Sequence, residues 1–179
     1  MYQPGRYIRH PSLLTENSMT RRDDWYALSK LHAEEALALF RSDMEISCVR
    51  PFGVYGPAQS GRLLQNLWQS VLEGRPITLQ PAPHEDALTD GLRISLCYVD
   101  DAVEILMALI THGGPEILNL AGKDALSIRA IADAIGRVSR VEPSYAVATT
   151  KRSGDLVACI DLLARTVPIR FTAFDDGLA

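Results

Sequence analysis

The sequence predicts an α/β protein with parallel strand pairing. Short apolar runs, "ISCVR" at 46–50 and "EILNL" at 116–120, recur between segments whose apolar residues return at helical spacing. Pro51, Gly74, Pro76 and Gly122 punctuate the boundaries between them. With 179 residues, 47% of them apolar and 22% charged, the chain is long enough for a real core and has the composition of an ordinary globular protein.

Residues 1–24 read as irregular, with Pro4, Gly5, Pro11 and the charged run "TRRDD" before the first helix. Asp23 or Asp24 is a natural N-cap, because a short side-chain oxygen can accept from a free backbone N–H of the first turn. The helix is expected over about 25–41, with Leu28, Leu31, Ala36, Leu37 and Phe40 available for a buried face. A strand over 45–50 follows, halted by Pro51 and succeeded by a turn-rich loop. "GRLLQNLWQSVLEGRP" is a second helix closed by Gly74 and Pro76. The stretch 77–99 reads as two strands around an acidic, Pro-containing loop at 81–91. Asp100 or Asp101 is expected to cap a third helix running through Leu109, and "EILNLAG" reads as a buried strand. Ser127 is expected to cap a fourth helix, in which Ile128, Ile131, Ala132 and Ile135 keep helical period. A last strand is expected near 156–160.

Tyr26 and Lys30 stand four apart at the start of the first helix, so their side chains share a face. A cation beside a phenol favours the phenolate, which makes such a tyrosine a candidate general base. An amphipathic helix with a solvated lysine explains the same spacing, and the residues alone leave both readings open.

The composition closes off other classes. A net charge of −4 offers no clustered positive surface for nucleic acid or anionic membrane. No run approaches 18 apolar residues, and the first residues show no leader pattern. Cys48, Cys97 and Cys159 are odd in number and set in apolar stretches, which reads as buried free thiols of a reducing compartment. His10, His32, His84 and His112 are scattered without partners at ligand spacing, so no metal is expected. Neither a nucleophile elbow nor a phosphate-binding P-loop is present.

The order of segments adds a resemblance. Tyr-x-x-x-Lys, "RPFGVYGP" (50–57), "CYVDDAVEIL" (97–106), "ILNLAG" (117–122), "KRSGDLVACI" (151–160) and "FDDGL" together resemble the NAD-dependent epimerase/dehydratase family of extended short-chain dehydrogenases/reductases. The resemblance covers nearly the whole chain. It implies the C-terminal half of a Rossmann-like doubly wound parallel sheet, with a small substrate-binding subdomain. On that reading 1–60 and 96–135 belong to the dinucleotide-binding part, and 61–95 and 136–179 to the substrate part.

The resemblance also implies roles. Tyr26 would be the general acid/base for a sugar hydroxyl, and Lys30 would depress its pKa and hold the nicotinamide ribose of NAD or NADP. Pro51, Phe52, Gly53 and Val54 would lie beside the nicotinamide, with Gly53 also near substrate. Arg152 would meet the phosphates of a nucleotide sugar, for which a planar fork of donors suits paired anionic oxygens. Asp101 would be a helix cap and packing residue, and Tyr55 and Tyr98 would line the cleft.

Four departures from the family pattern stand out. Gly53 replaces the usual Asn, and Ile94 and Ser95 replace an Arg-Asp pair, for which Arg93 is the nearest substitute. The acidic loop would suit an anionic substrate only if Glu85, Asp86 and Asp90 point away. No G-x-G-x-x-G segment occurs, so the glycine-rich half of the fold, with the third catalytic residue, is expected to be absent. A parallel strand with an open edge then calls for a second copy or a separate chain to complete the sheet, and the family commonly dimerises through the first helix. The implied protein is a cytoplasmic NAD(P)-dependent nucleotide-sugar epimerase or dehydratase, incomplete alone. The alternative is a non-catalytic nucleotide-sugar-binding or scaffold protein of the same descent.

Overall fold

The computed structural model describes residues 5–6, 13–83, 85 and 89–178. Pro4, His10, Pro11, His84 and Asp86 lie outside the described residues.

Helix α1 (Trp25–Ala38) begins where Asp24 accepts a hydrogen bond from the Ala27 N–H at 2.7 Å. It buries Ala27 and Leu31, one helical turn apart. It stops short of residue 41, because Ala36, Leu37 and Phe40 have no core to meet and lie exposed. Without packing, the helix gives way to turns through Leu39–Asp43.

Strand β2 (Cys48–Pro51) starts later than expected and takes in Pro51, which sits at the end of the strand. The stretch after it, expected as loop, forms β3 (Gly53–Tyr55). Helix α2 (Leu63–Leu72) buries Leu67 and Val71, and the chain turns out of it at Gly74 with φ of +65°. Strand β4 (Ile77–Leu79) and β5 (Arg93–Tyr98) flank the acidic loop as predicted but do not pair with each other.

Helix α3 (Val99–His112) follows β5 without a loop, and its buried Ala102, Ile105 and Leu109 form one stripe. Its N-cap position is Tyr98, so neither Asp100 nor Asp101 is the cap. Asp101 instead turns inward, where its two carboxylate oxygens accept from the Thr172 backbone N–H at 2.9 Å and the Thr172 hydroxyl at 2.7 Å. Strand β6 (Ile117–Leu120) and β7 (Ala125–Ser127) lead into α4 (Ile128–Ser139), capped as expected by Ser127, whose hydroxyl accepts from Ala130 N–H at 3.1 Å. The chain finishes with β8 (Tyr145–Val147), β9 (Gly154–Asp155), α5 (Asp161–Thr166) and a 3-10 turn at Asp176–Leu178.

Among the described residues, three of the five strand pairings are parallel: β2 with β6 (Cys48 opposite Ile117), β3 with β5, and β4 with β8. Strand β5 carries β7 antiparallel on its other side, and β1 (Gly5–Arg6) pairs antiparallel with β9. Two apolar clusters result. One joins α2, β4 and α4 through Leu67, Val71, Leu79, Ile131 and Ile135. The other joins α3, β6 and α5 through Ile105, Leu109, Leu118 and Leu163. Cys97 is buried in the second cluster, whereas Cys48 and Cys159 are only half-buried free thiols. Among the described residues, no helix is long and apolar enough to cross a membrane.

Candidate active site

The site begins at the first turn of α1. Burying Ala27 and Leu31 turns the neighbouring face outward, so Tyr26 stands 59% exposed with Lys30 on the turn below it. The Lys30 ammonium lies 5.4 Å from the centroid of the Tyr26 ring, over its π-face, so the spacing does bring the pair together. The Ser29 hydroxyl donates to the Tyr26 carbonyl at 2.8 Å, within the same turn.

Helix α1 is tied to β2 by an ion pair. Arg50 donates from Nε and Nη2 to the two Glu34 oxygens at 2.9 and 2.5 Å, and from Nη1 to the Glu16 carbonyl at 3.1 Å. That guanidinium holds the Glu34 carboxyl below the usual carboxylate range. The residues after Arg50 are the predicted cofactor-side segment Pro51–Val54. It is fixed by the Phe52 N–H donating to the Leu120 carbonyl at 3.0 Å and by Gln59 donating to the Val54 carbonyl at 2.9 Å.

At Gly53 the backbone runs close against β5. A Cβ there would lie 2.5 Å from Leu96 Cδ2 and 3.1 Å from the Ser95 carbonyl oxygen, so the β3–β5 contact occupies the space an asparagine would need.

Arg93 and Arg152 converge on one carboxylate. The Arg93 backbone N–H donates to Asp155 Oδ1 at 2.9 Å, and Arg152 Nε donates to the same oxygen at 3.3 Å. The Arg93 side chain is exposed, whereas that of Arg152 is only 5% exposed. Arg152 Nη1 donates to the Gln80 carbonyl at 2.6 Å and to Glu85 at 2.8 Å, and Nη2 donates to Glu85 at 3.2 Å. Of the acidic residues required to point away, Glu85 points in, and Asp90 pairs with Arg129 at 3.0 Å. Burial works to raise the Glu85 carboxyl, but Arg152, the Ala82 N–H and the Thr89 hydroxyl together hold it down to about 2.

Near the other ends of these strands, a cavity of about 220 Å³ is lined by Tyr55, Tyr98, Asp101, Lys123, Phe171 and Thr172, among others. Tyr55 and Tyr98 do line a cleft, but Tyr26, Lys30, Arg93 and Arg152 are not in its wall. Its volume falls below the roughly 300 Å³ at which small-molecule sites begin. Burial, and then the Asp101 charge, push the Tyr55 phenol far up, which removes it as a base, and burial likewise pushes the Cys97 thiol up to about 12. Among the described residues no cluster of three His, Cys, Asp or Glu side chains could hold a metal ion.

Among the described residues, Asp24 caps α1 and Asp100 and Asp101 lie in the first turn of α3, so these two helix starts place negative charge where a phosphate would need positive.

Residues 1–121, two thirds of the chain, match the NAD dependent epimerase/dehydratase family. The chain belongs to that family. No curated protein matches the sequence. Among solved structures it is similar to a UDP-glucuronic acid 4-epimerase from Bacillus cereus in complex with UDP-glucuronic acid and NAD, at 20% identity and TM-score 0.75, over 99% of this chain and 57% of that one. It is similar to a UDP-glucose 4-epimerase from Thermus thermophilus in complex with NAD, at 23% identity and TM-score 0.71, over 97% and 57%. A third is a putative epimerase from Burkholderia cenocepacia J2315, at 22% identity and TM-score 0.77, over 93% and 55%. The epimerase-family chain thus spans a little over half the length of these structures, and the likeness establishes its Rossmann-type α/β fold.

The contacts that the sequence did not single out are those of Glu34 on α1 with Arg50, of Asp155 with Arg152 and the Arg93 backbone N–H, and of Glu85 with Arg152. Only "RSGD" carried a signal, since Arg152 and Asp155 are three apart.

Proposed function

We propose that the chain is the substrate-side portion of an NAD(P)-dependent epimerase or dehydratase acting on a nucleotide sugar. The observation that carries this reading is the Tyr26–Lys30 pair, one turn apart with the ammonium over the ring, at the head of the helix in a family-matched segment. Tyr26 takes the proton from a sugar hydroxyl and returns it, and Lys30 holds positive charge beside the phenol through that exchange. A bound nicotinamide supplies the complementary hydride exchange with the sugar carbon. Pro51–Val54 form the wall on that side, and Arg93 and Arg152 the phosphate side of the substrate. The substrate part comprises 61–95 and 136–179, and the packing of α4 on α2 draws residues 128–135 towards it.

The 179 residues hold no glycine-rich dinucleotide loop, so turnover by this stretch of chain needs that loop from another source. A second copy is the proposed partner for α1, whose flank exposes Trp25 at 87% and Phe40 at 51%. A non-catalytic nucleotide-sugar-binding protein is the second reading, favoured by Gly53 in place of Asn and by the enclosure of Arg152.

The test is calorimetric titration of the purified chain with NAD and, separately, with UDP-glucuronate, with its mass determined by light scattering in the same buffer. Binding of both ligands supports the enzyme reading. Where the sugar nucleotide alone binds, the titration with NAD is repeated with the glycine-rich part of a family member added in trans: NAD binding then supports the enzyme reading and its absence selects the non-catalytic one, whereas failure to bind the sugar nucleotide overturns both. Any turnover detected with both ligands should vanish in Tyr26→Phe; turnover that survives it shows the base to be elsewhere.

A further inference from the structure

The contact that stands out against the proposed reading is Glu85 on Arg152. A residue expected to bind phosphate through its guanidinium is instead held by two carboxylates, and they are not equivalent. Asp155 is the inner partner, 6% exposed and also bonded to the Arg93 backbone N–H. Glu85 is the outer partner, 29% exposed, and it faces both terminal nitrogens of the fork. A carboxylate meeting Nη1 and Nη2 stands in for two oxygens of a phosphate, since both anions use the same paired geometry. A second cation adjoins it: Lys151 Nζ donates to the carbonyl of Pro83 at 2.7 Å and to that of Glu85 at 3.4 Å.

Resting on the assignment of Arg152 to substrate phosphate, we propose that the Glu85 carboxylate is a built-in competitor, occupying the face of Arg152 that the diphosphate of a nucleotide sugar takes. Binding then exchanges one anion for another. Asp155 stays as the inner anchor, and Glu85, the Ala82 N–H and the Thr89 hydroxyl give up their contacts together. The Glu85 carboxyl, held down to about 2, is charged at any physiological pH, so the competition is always in force. The ligand class follows: a diphosphate, carrying more charge than one carboxylate, displaces Glu85 where a singly charged or neutral sugar does not.

The test uses the full chain and UDP as probe, by calorimetry, in native protein, Glu85→Gln and the double variant Glu85→Gln/Arg152→Met, which removes both charges of the pair. The expected result is UDP binding at least about tenfold tighter in Glu85→Gln, about 1.4 kcal/mol, and lost again in the double variant. Equal or weaker binding in Glu85→Gln overturns the competitor and makes Glu85 a strut. If the double variant binds like Glu85→Gln, or if no form binds UDP, the assignment of Arg152 to phosphate fails instead. Thermal unfolding checks each fold. Where Glu85→Gln does not fold, Thr89→Val, which removes one support of the carboxylate, is expected to give a smaller gain in the same direction, and no gain overturns the proposal.

Discussion

Arg50 and Glu34 form a two-point ion pair that fastens α1 to β2, with side chains only 11% and 21% exposed. Both lie close to the candidate chemistry in sequence: Glu34 is one helical turn beyond Lys30, and Arg50 immediately precedes Pro51. The pair therefore sets the distance between the Tyr26 helix and the segment proposed to face the nicotinamide. α1 buries few residues of its own, so this tie carries much of its docking.

Glu34→Gln should destabilise the fold by about 1–3 kcal/mol, because it leaves a largely buried guanidinium with a neutral partner. Urea unfolding followed by circular dichroism measures this. A loss below about 0.5 kcal/mol would mean that apolar contacts, not the ion pair, hold α1.

Restoring the family asparagine should be harmful here. Gly53→Asn places a Cβ against Leu96 and the Ser95 carbonyl, and overpacking of this kind costs about 1–3 kcal/mol. Leu96→Ala alone is also destabilising, but in the Gly53→Asn background its cost should shrink, as expected for contacting residues. Strict additivity of the two changes in denaturant unfolding would show that they do not compete for space.

Acid should weaken the protein through Glu85. Its carboxyl sits near about 2 in the fold against 4.5 when free, so its contribution is complete above about pH 4.5 and is lost as pH falls towards 2. The effect is on the order of 3 kcal/mol, and Glu34, also lowered, acts in the same direction. Stability measured between pH 6 and 3 should fall less steeply in Glu85→Gln than in the native chain. Parallel curves would exclude Glu85 as a contributor.

Local chemistry made some of this legible in advance. Asp24 and Ser127 act at their helix starts through single short hydrogen bonds that need only neighbouring residues. Parallel pairing in general followed from the alternation of strands with helices, and β2 with β6 is one such pair. What the sequence hid was set by distant partners. Strand β3 exists because β5 lies beside it, although Gly53 alone suggests a turn. Asp101 looked like a cap because Thr172, which claims both its oxygens, is 71 residues away. The pairing of Glu85 was hidden for the same reason, Arg152 being 67 residues away. Tyr26 and Lys30 were readable because helical spacing alone joins them.

Asn119, fully buried at the centre of β6, donates from its amide nitrogen to the Leu14 carbonyl at 2.9 Å and to the Cys159 carbonyl at 3.3 Å. One carboxamide thus gathers three strands of chain that synthesis delivers far apart, one of them 105 residues distant. The segment around Leu14 is held by long-range contacts rather than by a helix or strand of its own, so it is expected to open locally before β6 does. Native-state amide exchange should show Leu14 and Cys159, whose N–H groups donate to Val157 and Leu14 carbonyls, opening at lower free energy than Leu118. Equal protection would make the docking of this segment part of the global fold, with the buried carboxamide tying three distant stretches of chain into one cooperative unit.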